Sequence, residues 1–195
     1  KDFNELKIVN GGTLDKLVDF VTKIDNGKFP PEEFLKSGKT IIGIQRHLNF
    51  ENLLKYFSEH DSPADLLKAE ELEKYGLKEP AEIQQKIVDE AIETLTRMEK
   101  EGKVVDTKYG SFVINVNNEL KVGSSAAYTR HDGIINFTPE KSFAVTMKAG
   151  SFDEDELKEK LGENFQGKII RGNMWIYNET EPLKTDLEQI KTALT

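Results

Sequence analysis

Three histidines raise the first chemical question, because two of them precede an aspartate: His60-Asp61 and His131-Asp132, with His47 upstream. Histidines and aspartates that converge on a divalent metal from a helical bundle can activate water for phosphoester hydrolysis. The spacing here argues against convergence. His60-Asp61 falls in a loop just before a helix cap, and His131-Asp132 falls at the entrance of a strand. Surface turn residues, or the polar edge of a sheet, are the simpler expectation.

Anion-binding features gather in the second half. Gly123-Ser124-Ser125 opens a short helix, so its N–H groups and hydroxyls could hold a phosphate. Arg130, Lys168 and Arg171 stand at the ends of elements in the same region. In "GKIIRG", glycines flank a strand with a cation near each end, which would let a ligand approach the backbone. Asp25 in "FVTKIDNG" closes an apolar helix where the chain turns, so its carboxylate could face a cleft; a helix C-terminal turn residue is the plainer local reading. The acidic "DEDE" at 153–156 suits the first turn of a helix, and "KAEELEK" suits a solvated helix face. Trp175, the only tryptophan, reads as core or interface.

The elements that must position these groups change character along the chain. "ELKIVN" reads as a strand, followed by a helix capped by Thr13 and ended by "NGKFPP". "FLKSGKTIIGIQRHL" and "NFENLLKYF" are helical in tone, with Asn49 as a cap, and "SPADLLKAEEL" carries Ser62 and Pro63 at helix-start positions. The longest helix begins near Glu79, carries Ile83, Ile87, Ala91, Leu95 and Met98, and stops at Gly102. Beyond it the period becomes that of strands: "KVVDTKYGSFVINV" as a hairpin, then "DGIINF" and "KSFAVTM". "SFDEDELKEKLG" is a helix with Ser151 and Glu154 at capping-box spacing, "GKIIRGNMWIY" one final strand, and "TDLEQIKTAL" a terminal helix. The fold expected is therefore α+β: a mostly helical region with a long linker helix over 1–102, then a small mixed-sheet domain with two to three helices over 103–195.

Composition limits the function classes. The 195 residues carry a net charge of -8, which argues against general coating of nucleic acid. A local basic cleft for a nucleotide or short strand is compatible with it. No apolar run reaches the length of a membrane span, and no signal-peptide pattern opens the chain, so a soluble cytoplasmic protein is expected. The absence of cysteine removes disulfides and thiolate metal sites. The chain opens on Lys1 rather than methionine, which fits a piece of a longer polypeptide.

The order of strand, small-residue helix, strand, strand, helix and glycine-flanked strand over 117–172 resembles the C-terminal substrate-binding domain of the DHH phosphoesterase superfamily. That superfamily includes RecJ-type exonucleases and hydrolases of short oligonucleotides and cyclic dinucleotides. "LVDFVTKIDNGKF" similarly resembles the helix that follows the Asp-His-His motif, with Asp25 at the acidic position near the metals. The metal-binding aspartates, the Asp-His-His triplet and the glycine-rich "GGGH" signature are not in this chain, where "ENFQGKIIRG" takes the place of the last. The resemblance implies phosphodiester or phosphoanhydride hydrolysis with two divalent metals, manganese or magnesium. It makes Asp25 an outer catalytic residue at the metal site and Arg130, His131, Lys168 and Arg171 the phosphate or base contacts; Ser124 and Ser125 join these substrate-binding candidates from the helix opening at Gly123.

The leading expectation is the substrate-binding and linker portion of a DHH-like phosphoesterase for nucleotides or short oligonucleotides, inactive without an upstream catalytic domain. Two alternatives stand beside it: a non-catalytic module that binds another protein, and an HD-type metal phosphohydrolase built on the histidine–aspartate pairs.

Overall fold

The computed structural model describes Asp19, His47 and residues 50–60, 63–178 and 182–195. Asp25, Thr13, Asn49, Asp61, Ser62, the "ELKIVN" strand and the helix after it lie outside the described residues. The fold is α+β, with helices preceding a mixed sheet. Contacts divide the chain into two compact units, Lys1–Asp89 and Glu90–Thr195. No helix among the described residues is long and apolar enough to cross a membrane.

In the first unit, α1 (Phe50–Glu59) is followed by a 3-10 turn (Pro63–Leu67) and α2 (Ala69–Lys74). Pro63 takes the first position of its turn, where a missing N–H costs nothing. Gly76 ends α2 with φ +65°; its N–H reaches Glu73 O and the Leu77 N–H reaches Leu72 O. That pair of bonds satisfies carbonyls the helix would otherwise leave open.

The long helix α3 (Lys78–Lys100) crosses the division between the units. Its buried stripe is Ala81, Val88, Ala91, Leu95 and Met98, whereas Ile83 is 52% exposed. Ile83 precedes Ala91 by eight residues and lies about 80° round the helix from it, on the side opposite to Val88 and Ala81. Ile87 is only about 40° off and is half-buried. The helix stops as expected at Gly102, again with paired bonds, Gly102 N to Glu99 O and Lys103 N to Met98 O.

The second unit is built on six strands in the order β1-β2-β3-β4-β6-β5. They are β1 (Val104–Thr107), β2 (Gly110–Val116), β3 (Gly133–Thr138), β4 (Ser142–Met147), β5 (Lys168–Ile170) and β6 (Met174–Asn178). Only β2 and β3 are parallel, and α4 (Gly123–Ala127) makes the crossover between them. α5 (Glu154–Leu161) and α6 (Leu187–Leu194) complete the unit.

Alternation fixes two faces. Phe112, Ile114, Ile135, Phe137, Phe143, Val145 and Trp175 form one face, sealed by Leu157 and Leu161 of α5 and by Ile190, Ala193 and Leu194 of α6. Trp175 is fully buried, edge-on to Phe143 at 4.7 Å, and its indole N–H donates to Gln166 O, so it is a core residue. On the other face Val113, Asn115 and Ile134 are buried, and α4 carries the buried Ala126 and Ala127. Farther along that face, Ala144, Thr146, Met174 and Ile176 are only half-buried.

Two local expectations are corrected. "GKIIRGNMWIY" is two strands, because Arg171 and Gly172 both take positive φ and turn the chain between Ile170 and Met174. The cap of α5 is Asp153, which accepts from Glu156 N, rather than Ser151. Phe152 is buried with its N–H bonded to Gly172 O, so the chain is still pinned to the sheet turn there and the helix begins two residues later than a Ser151 cap would start it.

Candidate functional site

Strand register decides which polar residues can act together. Phe112 lies opposite Gly133, and Gly133 opposite Met147. One residue further, Ser111, Asp132 and Lys148 form a row across the end of the sheet, on the face shared by Val113, Ile134 and Thr146. Backbone bonds tie the row together: Asp132 N donates to Ser111 O at 2.8 Å, and Lys148 N to Asp132 O at 2.7 Å. The β5–β6 turn reaches the same end, where Asn173 O accepts from Met147 N at 3.1 Å.

Beside this row sits a chain of side chains. His131 Nδ1 is 3.1 Å from Ser111 Oγ, and its Nε2 is 3.0 Å from Glu99 Oε1. An ionised carboxylate only accepts, so Nε2 carries a proton. In the neutral ring Nδ1 therefore accepts from the serine hydroxyl. Arg130 Nη1 donates to the other Glu99 oxygen at 2.9 Å and to Thr96 Oγ1 at 3.1 Å.

A hydroxyl, an imidazole and a carboxylate in series can activate a serine. Acyl transfer also needs donors for the oxyanion, and the nearest ones are occupied. Ser111 N already donates to Asp132 Oδ2 at 3.0 Å, and Asp132 N to Ser111 O. The Asp132 carboxylate fills the space a Cβ at Gly110 would take. It is a backbone cap for the start of β2. The His131-Asp132 pair is the polar edge of the sheet, as one reading of the sequence had it.

Neither half-buried histidine is a surface turn residue. The His131 side chain is 12% exposed and that of His60 21%. His60, in the first unit, stacks on Tyr56 at 4.5 Å and lies 3.4 Å from the carboxylate of the buried Glu71. His47 is exposed. Among the described residues, no group of three or more histidines, cysteines or acids is placed to hold a metal.

The expected substrate contacts separate into four places. Arg130 and His131 converge on Glu99. Arg171 is exposed at the same end of the sheet, but β5 lies three strands from β3, about 14 Å away. Lys168 is exposed on β5 opposite Ile176, on the half-open face. Ser124 and Ser125 belong near the other end: Gly123 lies over Asn136 Oδ1, four residues and about 13 Å along β3 from Asp132. α4 has only five residues, and its cap, Val122, sits at φ 50° with no side-chain capping bond.

The glycines of "GKIIRG" have a different cause from the one expected. A Cβ at Gly167 would overlap the backbone carbonyl of Ile176, and one at Gly172 would lie 3.3 Å from Ser151 Cβ. The chain itself fills the space that a ligand was expected to use.

Sequence reasoning missed Glu99, Ser111 and Lys148. Lys148 Nζ donates to Tyr128 O at 3.2 Å, and burial pushes the Tyr128 phenol above its ordinary pKa, keeping it a neutral hydroxyl. Glu99 is one of several acids on α3, and nothing in its local sequence sets it apart. On the flank, the Lys103 and Arg97 side chains hold the Glu119 carboxyl below its usual range. In comparisons with known proteins, the chain matches no family model, no curated protein and no solved structure.

Proposed function

We propose that this chain is the substrate-binding and linker portion of a DHH-like phosphoesterase that acts on nucleotides or short oligonucleotides. The observation that carries the reading is Arg171. It is exposed, it sits at φ 56° in the left-handed region, and it stands at the edge of the half-open sheet face. A non-glycine residue there is less stable than glycine, and such outliers cluster at ligand sites. Ala144, Met174 and Ile176 offer apolar surface for a base and sugar, and Arg171, Lys168 and Lys148 offer charge for phosphate. A nucleotide substrate fits a cytoplasmic location.

The two divalent metals that the resemblance implies have no ligand set among the described residues. No hydrolytic step is assigned to these residues, and their role is to bind and orient. A thermal-shift titration with mononucleotides and short oligonucleotides, with and without manganese, tests the reading, because a ligand of the folded state raises Tm.

A second reading, a non-catalytic protein-interaction module, is favoured by Ile83, the large apolar side chain left exposed on α3. It predicts co-elution with a protein partner and no Tm shift with any nucleotide.

A further inference from the structure

We infer that Glu99 is a built-in competitor for substrate phosphate, holding the anion position that Arg130 and His131 define. The inference rests on the substrate-binding reading above. The two Glu99 oxygens are divided between two donors, Oε1 to His131 Nε2 at 3.0 Å and Oε2 to Arg130 Nη1 at 2.9 Å. Two adjacent oxygens of a phosphate present nearly the same pair of acceptors. Both donors are held by other groups as well: Thr96 Oγ1 accepts from Arg130, and Ser111 Oγ meets His131 Nδ1. The arginine and histidine therefore keep their aim when the carboxylate leaves, so a second anion finds them oriented.

Charge and exposure favour the exchange. The Arg130 side chain is 42% exposed and Glu99 27%, so water screens the ion pair and weakens it. A phosphate monoester carries nearly twice the charge of a carboxylate and more acceptor oxygens. Bound there, it displaces Glu99 from its two donors, while the buried Met98 and the Arg97–Glu119 pair still hold the last turn of α3. Asp132 is the other carboxylate beside the imidazole; it stays bonded to Ser111 N and opposes the incoming anion without blocking it.

The test is the affinity of a 5′-phosphorylated dinucleotide, without metal, for wild type and three variants. Glu99→Gln removes the competitor. Glu101→Gln removes the same charge two residues on, from a carboxylate paired with Arg97 and Lys103. The third variant is Glu99→Gln with Arg130→Ala. The expected result is Glu99→Gln binding roughly fivefold tighter or more, Glu101→Gln within about twofold of wild type, and the double variant losing the gain. If the probe binds wild type but Glu99→Gln is no tighter than Glu101→Gln, the competitor role is wrong and the substrate-binding reading survives. If the probe binds none of the proteins, both fall together.

Discussion

His131 and Glu99 are 32 residues apart in the chain and 3.0 Å apart in space. The contact joins the C-terminal turn of α3 to the entrance of β3, and Arg130 reinforces it from the next position. It gives a histidine that sequence alone would place in an exposed turn a structural task inside the second unit. Replacing His131 with alanine removes one charge-assisted and one neutral hydrogen bond, worth about 2–4 kcal/mol together. Urea unfolding followed by the fluorescence of the single Trp175 measures this loss. Unchanged or increased stability would mean that the imidazole is held for a ligand at the expense of the fold.

Arg171 sits at φ 56°, so its backbone favours glycine. Arg171→Gly is expected to raise stability by up to about 1 kcal/mol while abolishing oligonucleotide-induced stabilisation. The two readouts move in opposite directions only if the arginine is there for its guanidinium. A substitution that changes neither would make it an ordinary turn residue.

Gly133 faces a steric limit rather than a conformational one. Its φ lies outside the left-handed region, but a Cβ would overlap the Phe112 ring on the neighbouring strand. Gly133→Ala should lower stability by about 1–3 kcal/mol through displacement of that ring, measured by the same Trp175 signal. A neutral effect would mean that the β2–β3 register differs from the one described.

How much of this was legible in the sequence depends on the range of each interaction. The β1–β2 hairpin, the Gly102 stop and the short helix at Gly123 follow from local period and from glycine, and they were readable; the parallel β2–β3 pairing that makes this helix a crossover was not. The break within "GKIIRGNMWIY" was hidden because an arginine, rather than asparagine or a second glycine, occupies a left-handed position. Ser151 and Asp153 both have cap spacing; the choice between them was made by Phe152, buried and bonded to a turn twenty residues on. The candidate site was the least legible part. Arg130 and His131 could be singled out by type, but Glu99 and Ser111 become their partners only through strand register and the docking of a helix end, which leave no local signature.

Glu119 gives a pH test of the flank of the site. Its carboxyl titrates below the ordinary value of about 4.5 because Lys103 and Arg97 bond it. The folded state therefore gains stability from Glu119 above that pH and loses the gain as pH falls through the lowered value. The Tm advantage of wild type over Glu119→Gln should be present at pH 6 and shrink below about pH 4.5. An advantage that persists at pH 2 would contradict the ion-paired arrangement.

The measurement that bears most directly on the substrate-binding account is the thermal-shift titration of wild type and Arg171→Ala with short oligonucleotides, with and without manganese. The account predicts a rise in Tm with ligand concentration for wild type and its loss in the variant. An equal rise in both proteins would remove the site from the β5–β6 turn. No rise with any ligand would contradict substrate binding and leave the protein-interaction reading in its place.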